Sequence, residues 1–213
     1  MDADANQHWY VVVSTYAQLQ SRIADDLNRT DLTSQIQQCI LLAIQHYKKE
    51  RFWFNETNAT ATATVSSAQL AAPTDLLVID KLYIVISGKN VELIARGLNE
   101  IIEFRATTNG RPRAFCYYRN QFELDRLCDQ AYTMNLNYLK ELTALSSSSD
   151  SNGWTIDGED LVVFHAEKKL YANVIKDSVK AALCDQQERD ALTELRSLRM
   201  ARISTGYTKA HYL

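Results

Sequence analysis

The middle of the chain has the period-two apolar pattern of β-strands, whereas the segments before and after it have the period of α-helices. Near the N-terminus, Tyr16, Leu19 and Ile23 recur at helical spacing. In the middle, apolar residues alternate with polar ones at Tyr132, Met134, Leu136 and Tyr138. This order predicts an α+β fold, in which two helical hairpins form one bundle and an antiparallel β-sheet is inserted between them.

The first helical hairpin is predicted from two amphipathic runs. The first run extends over 15–28, and the second over 31–51, with Thr30 or Asp31 as its N-cap. Because the link between them is short, the two helices should lie antiparallel. The second run places its apolar residues on one continuous face, at Ile36, Cys39, Ile40, Ala43, Ile44 and Tyr47.

The β-segment is predicted from β-branched and aromatic residues separated by turn signals. It begins with the alternating threonines and alanines around Thr60–Val65, and Gly88–Lys89 is expected to form a hairpin turn. One short helix is expected at 99–105. The other strand candidates are 76–87, 91–95, 113–119, 121–128 and 131–138.

The C-terminal part returns to helical periodicity after a polar loop at 146–153. Asp157 or Asp160 is predicted to cap the third long helix. A last helix is predicted over 185–203. The third helix is expected to have one continuous face made of Leu161, Phe164, Lys168, Tyr171, Ile175 and Val179.

These segments define four predicted regions. The N-terminal helical hairpin takes residues 1–56, and the inserted, mainly β segment takes 57–145. The second hairpin, which completes the bundle, takes 146–204. The remaining residues, 205–213, are expected to form an extended C-terminal docking arm.

The C-terminus carries the one unusual pattern. Leu192, Leu195 and Leu198 form a core-facing stripe, and Arg199 and Arg202 then continue the same line. Such arginines are typical of a solvated helix end, where cations are favoured. The tail beyond them nevertheless keeps two tyrosines, which indicates a segment that docks on another protein. The candidate docking residues are Arg199, Arg202, Tyr207, Lys209, Tyr212 and Leu213.

No catalytic, cofactor or metal site is predicted. The chain contains no nucleotide-binding, zinc-protease or nucleophile-elbow motif. Its four histidines and four cysteines are scattered, so neither zinc nor a disulfide framework is indicated, and reduced thiols are expected. His46 and His165 are interpreted as packed or surface histidines.

The bulk composition excludes several classes of protein. The net charge of −3 argues against nucleic-acid binding over the whole surface. No apolar run approaches the roughly 20 residues that a membrane span needs. The N-terminus is acidic and its apolar run is short, so no signal peptide is expected.

Four ordered stretches resemble a known family, the head-to-tail adaptors of tailed bacteriophages. The first joins a short helix to a longer one that ends in basic and aromatic residues, and the second leads into the sheet. The third runs through three strands, and the fourth opens the second hairpin. They read YAQLQSRIADDLNRTDLTSQIQQCILLAIQHYKKERFW, AAPTDLLVIDKLYI, GRPRAFCYYRNQFELDRLCDQAYTMNLNYLKELTALS and NGWTIDGEDLVVFHAEKKLYANVIKD.

The resemblance, which extends to podovirus tail accessory and tail tubular adaptors, implies a structural virion protein rather than an enzyme. It implies a homo-oligomeric ring, commonly twelvefold, between the portal protein and a downstream nozzle or tail-tube protein. Such a ring closes the connector, and DNA passes through its lumen without specific binding. The bundle would form the ring wall, and the C-terminal segment would insert at the portal. The protein would assemble in the host cytoplasm and stay at the head–tail connector.

Three alternatives remain open at this stage. A nucleic-acid-binding protein would use the basic helix around Arg196–Arg202. A tail-associated hydrolase would assemble its site only through the fold. A decoration or tail protein would act away from the portal.

Overall fold

A computed structural model describes residues 14–103 and 105–203, and these residues confirm the predicted α+β class. They form two compact units. One comprises Met1–Lys48 and Thr143–Leu213, with its described part mainly helical, and the other comprises Lys49–Leu142, which is mainly β-sheet. The β unit is therefore one continuous insertion in the sequence of the helical unit.

The first two helices form as the periodicity predicts. Thr15 caps α1 through a capping box with Gln18, and Asn28 ends α1 in the left-handed conformation. The predicted cap of α2 is wrong. Leu32 occupies that position without a side-chain bond, because the Asp31 carboxylate is instead engaged by the neighbouring Arg29 guanidinium. The two helices are α1 (Tyr16–Leu27) and α2 (Thr33–Tyr47).

Helix α5 (Glu159–Leu170) is the centre of the helical unit. It packs against α1, α2 and the last helix, α6 (Ser178–Ile203). Its buried residues therefore lie on all sides instead of one stripe, and they include the consecutive Leu161, Val162 and Val163. The predicted Asp157 and Asp160 caps are wrong, because Gly158 occupies the cap without a side-chain bond. A one-turn helix, α4 (Gly153–Ile156), precedes it.

The single helical face predicted through Val179 is interrupted. After α5 the chain forms a π-helical turn over Tyr171–Ile175. Lys176 then adopts a left-handed conformation with φ of 65°, and the Asp177 side chain accepts hydrogen bonds from the first amides of α6. Helix α6 consequently starts at Ser178 rather than near 185, and Val179 is 80% exposed.

The β unit contains two four-stranded sheets rather than one. The order is β1-β8-β3-β4 in the first sheet and β2-β7-β6-β5 in the second. All strand pairs are antiparallel except β5 and β6, whose short parallel pairing was not predicted. The strands are β1 (Glu56–Ala63), β2 (Gln69–Ala71), β3 (Leu76–Ile86), β4 (Lys89–Glu92), β5 (Ile94–Ala95), β6 (Ala114–Tyr118), β7 (Gln121–Leu124) and β8 (Tyr132–Lys140), and the short helix α3 is Leu98–Glu103.

Strand β8 carries the centre of the β-unit core. It pairs with β1 on one side and β3 on the other, and its four alternating apolar residues are buried as predicted. Residues of both sheets contribute to the same core cluster, among them Leu82 and Phe122. The predicted turn lies one residue earlier, at Ser87–Gly88, where both residues have positive φ as a tight hairpin requires.

The break between α5 and α6 makes a testable prediction about stability. A lysine in the left-handed region carries a steric cost that glycine avoids, so Lys176→Gly should stabilise the protein by about 1 kcal/mol. Asp177→Ala removes the cap of α6 and should destabilise it by about 1 kcal/mol. Urea unfolding of both variants measures these effects. Equal destabilisation by both substitutions would contradict this description of the break.

Candidate functional site

The C-terminal end of α6 is the candidate site, because apolar side chains of the helix become exposed there. Cys184, Glu188 and Leu195 are buried at helical spacing, whereas Leu198 is 43% exposed and Met200 61% exposed. From Arg196 to Arg202 no residue is fully buried. The predicted leucine stripe is therefore correct only as far as Leu195, and the helix continues beyond its own core.

Two of the six candidate docking residues lie in the described part of the chain. Arg199 is half-buried and Arg202 is exposed in the last turn of α6, where a cation is favoured by the helix dipole. The others, Tyr207, Lys209, Tyr212 and Leu213, lie outside the described residues. The docking role of all six remains a prediction.

A buried polar network holds the first half of α6 against its neighbours. The Tyr47 hydroxyl of α2 donates to Glu188 Oε1, and His165 Nδ1 of α5 lies 2.6 Å from the same oxygen. Lys168 Nζ forms an ion pair with Glu188 Oε2 and a second one, at 3.2 Å, with Asp185 Oδ1. Glu188 thereby joins three helices at one point.

The charge of Glu188 is stabilised by these partners. Burial would raise the pKa of its carboxyl, but hydrogen bonds from His165, Lys168 and Tyr47 outweigh burial and lower the pKa to about 2. His46 stacks on His165, with ring centroids 5.0 Å apart. The prediction that both histidines have packing or surface roles agrees with this geometry.

A second buried carboxyl, that of Glu167 on α5, has a raised pKa instead of a lowered one. Glu167 is 5% exposed, and Oε2 lies 3.7 Å from the Cys184 Sγ. Burial, followed by hydrogen bonding and charge from Asp26, raises the pKa of Glu167 to about 8. Burial and the adjacent Glu167 raise the pKa of the Cys184 thiol to about 12, so this thiol is unreactive at neutral pH.

Sequence reasoning missed both carboxyl clusters. Glu167 and Glu188 look like ordinary charged helix positions, and only the burial of α5 on every side brings them into the core. A usable signal was present, since Glu188 lies one turn after Cys184 and two turns before Leu195 on the buried stripe.

The described residues contain no cluster of metal ligands. Across 14–103 and 105–203, no group of three or more histidine, cysteine, aspartate or glutamate side chains could hold a metal ion. A shallow polar cleft lies over the first sheet and is lined by Glu56, Thr57, Asn58, Asp80, Asn137 and Tyr138. Asp80 is paired with Arg51 there. Among the described helices, none has the length and apolar character needed to span a membrane.

Comparison with known proteins gives one result for family and one for individual proteins. A family model described as SU10 adaptor protein matches residues 14–209, which is nearly the whole chain. The search of curated proteins finds no match.

The two buried carboxyls make a prediction about pH. The folded-state pKa of Glu167 lies above its ordinary value of 4.5, so its contribution to stability is full below pH 4.5 and is lost as the pH rises through 8. Glu167→Gln replaces the carboxyl with an amide that has the same shape and carries no charge at any pH. At pH 9 it should therefore stabilise the protein by about 2–4 kcal/mol relative to its effect at pH 4.5. Urea unfolding across this pH range is the measurement.

Glu188→Gln is the matched control on the adjacent helix. In the parent chain, the folded-state pKa of Glu188 is lowered to about 2. The stability that Glu188 contributes is therefore present above pH 4.5 and is lost as the pH falls toward 2. Removal of this charge should destabilise the protein at pH 7 by about 3 kcal/mol, and the loss should shrink in acid. The same pH dependence for both variants would refute the assignment of opposite protonation states.

Proposed function

Because this chain belongs to the SU10 adaptor protein family, we propose that it forms an oligomeric ring that joins the portal to the tail. The family consists of bacteriophage adaptors, so the chain is a structural component of the virion, and membership implies interaction with portal and tail proteins. The finer features are part of the proposal: twelve copies, closure of the connector, a downstream nozzle or tail-tube partner, and assembly in the host cytoplasm.

The observation that carries the proposal is the division of α6 into an anchored half and an exposed half. The anchored half ends at Leu195, which is 6% exposed. The exposed half carries Arg199 and Arg202 together with Met200, a combination of cations and an apolar side chain that suits a protein interface. Exposed apolar side chains such as Leu198 and Met200 are candidates for burial against another protein.

The residues that follow α6 complete the proposed docking surface. Tyr207, Lys209, Tyr212 and Leu213 supply aromatic, cationic and apolar groups within a short stretch. Such residues contribute most when they are buried in pockets of a partner. We propose that they insert at the outer surface of the portal, and that the anchored half of α6 fixes where they emerge.

The charge of the chain supports a channel through which DNA slides. The chain has a formal net charge of −3, and cationic side chains in α6 are offset by Asp190 and Glu194 on the same helix. A lumen rich in lysine and arginine would hold phosphates in a salt-dependent manner. A weakly acidic subunit suits passage of DNA without specific binding.

This proposal predicts that portal binding depends on the C-terminus. A chain truncated after Ser204 keeps α6, which ends at Ile203, but loses the residues beyond it. It should fold with an unchanged unfolding midpoint and lose co-sedimentation with rings of the cognate portal protein. The double variant Arg199→Ala/Arg202→Ala should weaken binding, and added salt should weaken binding of the parent chain.

Arg29→Ala is the matched control, because Arg29 is a surface arginine of the same unit that pairs only locally with Asp31. It should bind the portal like the parent chain. Equal binding by the truncated chain would remove the arm from the interface. Absence of portal binding by the parent chain, together with steeply salt-dependent DNA binding, would favour the nucleic-acid alternative.

A further inference from the structure

Among the described residues, the first sheet of the β unit ends in a long edge strand, β1. Strand β1 lies at one end of the order β1-β8-β3-β4, and it pairs with β8 without a bulge from Glu56 to Ala63. It contains no proline and no lysine, and Glu56 is its only charged residue. Proteins usually shorten, charge or kink such an edge to prevent strand addition. Strand β1 has none of these protective features, which indicates that it pairs with a further strand.

The backbone groups on this edge can be assigned from the hydrogen-bond pattern. Lys140 N–H donates to Asn55 O at 2.8 Å, so these residues form a hydrogen-bonded pair. Such pairs alternate along an antiparallel ladder. Asn58, Thr60 and Thr62 therefore direct their N–H and C=O groups away from β8.

The opposite edge of the same sheet offers matching groups. On β4, Leu93 N–H donates to Leu82 O at 2.9 Å. The same alternation directs the backbone groups of Asn90 and Glu92 away from β3. All pairs in this sheet are antiparallel, so β1 and β4 run in opposite directions. A second copy placed alongside would thus bring its β4 antiparallel to β1.

We propose that β1 of one copy pairs with β4 of the next copy, with Thr60 opposite Asn90. The contact joins two different surfaces, so repeated copies either close into a ring or extend as a filament. The inference rests on the proposed ring and names the backbone contact between its neighbours. It makes the first sheet continuous from one subunit to the next and removes its open edges.

Side chains on the outer face support this register. Thr60 Oγ1 donates to Asn135 Oδ1 at 3.0 Å, and Asn135 Nδ2 donates to Asn90 Oδ1 at 2.8 Å. This polar row crosses the sheet and ends at a threonine oxygen on β1 and an amide on β4. In the joined sheet, the Asn90 amide of the next copy can donate to the Thr60 oxygen, which continues the row.

The other face of the strands supports the same register. If Thr60 lies opposite Asn90, then Ala59 lies opposite Val91 of the next copy. Ala59 is half-buried at the rim of the core cluster, and Val91 is 37% exposed. Contact between them removes apolar surface of both copies from water.

The proposed contact is small, and this determines how the ring would assemble. It contains two hydrogen-bonded residue pairs, Asn58 with Glu92 and Thr60 with Asn90, and each hydrogen bond adds little net free energy in water. Isolated subunits should therefore associate weakly. Copies held side by side on a portal should pair readily, because attachment to one template raises their effective concentration.

Cysteine cross-linking tests the pairing in the full-length chain. Ala59→Cys and Val91→Cys are placed in separate molecules. Cys39 is replaced by serine in both, because it is the one native cysteine of the four that is not buried. Opposed residues in a non-hydrogen-bonded pair have Cα atoms about 4.5 Å apart, which suits a disulfide. Oxidation of the mixture should give a linked dimer that neither variant forms alone.

Matched controls separate strand pairing from random collision. Thr60→Cys mixed with Val91→Cys should not cross-link, because the two side chains point to opposite faces of the joined sheet. Thr60→Pro, added to the Ala59→Cys chain, removes an outward N–H and should abolish the link. Thr60→Val keeps that N–H and should retain the link. The unfolding midpoint of the Thr60→Pro chain, compared with that of the Thr60→Val chain, reports whether β1 is intact.

The same mixture assembled on portal rings distinguishes this inference from the proposed function. Rings that bind the portal and cross-link at Ala59 and Val91 support both. Rings that bind but link no better than the Thr60→Cys control overturn the strand pairing and leave the adaptor role intact. Cross-linking without portal binding supports the pairing and overturns the portal role. Absence of both overturns both.

Discussion

The arrangement of the helical unit depends on one buried carboxylate. Glu188 of α6 accepts a hydrogen bond from Tyr47 of α2 and contacts His165 and Lys168 of α5. A charged group at 4% exposure is unfavourable unless it is compensated, and these partners compensate it so fully that its pKa falls to about 2. Geometry this demanding fixes the rotation and the axial position of α6.

The anchor explains why α6 can continue past its own core. A helix of 26 residues is about 39 Å long, and Leu195, the last of its described residues that is buried, lies about two-thirds of the way along it. Apolar contacts alone would tolerate a slide of α6 along its axis, since such contacts are not directional. A slide would leave Glu188 buried without its partners. The anchor therefore sets the position at which Arg199 and Arg202 emerge.

The sequence was sufficient to predict the fold class and the position of most helices and strands. The spacing of apolar residues shows whether a segment is a helix or a strand when one of its faces is buried. It failed where burial differs from that pattern. Helix α5 is buried on all sides, so its single predicted face had no counterpart, and the carboxyls of Glu167 and Glu188 were not recognised. The break at Lys176 was missed because a lysine gives no sign of a left-handed conformation. The division into two sheets was missed because periodicity does not identify strand partners.

The two proposed interfaces use different physics, and each needs the other. Strand pairing between β1 and β4 is directional but weak, since backbone hydrogen bonds only replace those made with water. Docking through Arg199, Arg202 and the residues beyond them can be stronger, because aromatic and apolar groups lose contact with water. If docking comes first, the portal supplies the symmetry and the strand edges then link adjacent subunits. A chain with a strong lateral edge would form filaments before it met a portal. In the proposed ring, a short β4 edge with two outward residues would avoid that outcome and still allow the ring to close.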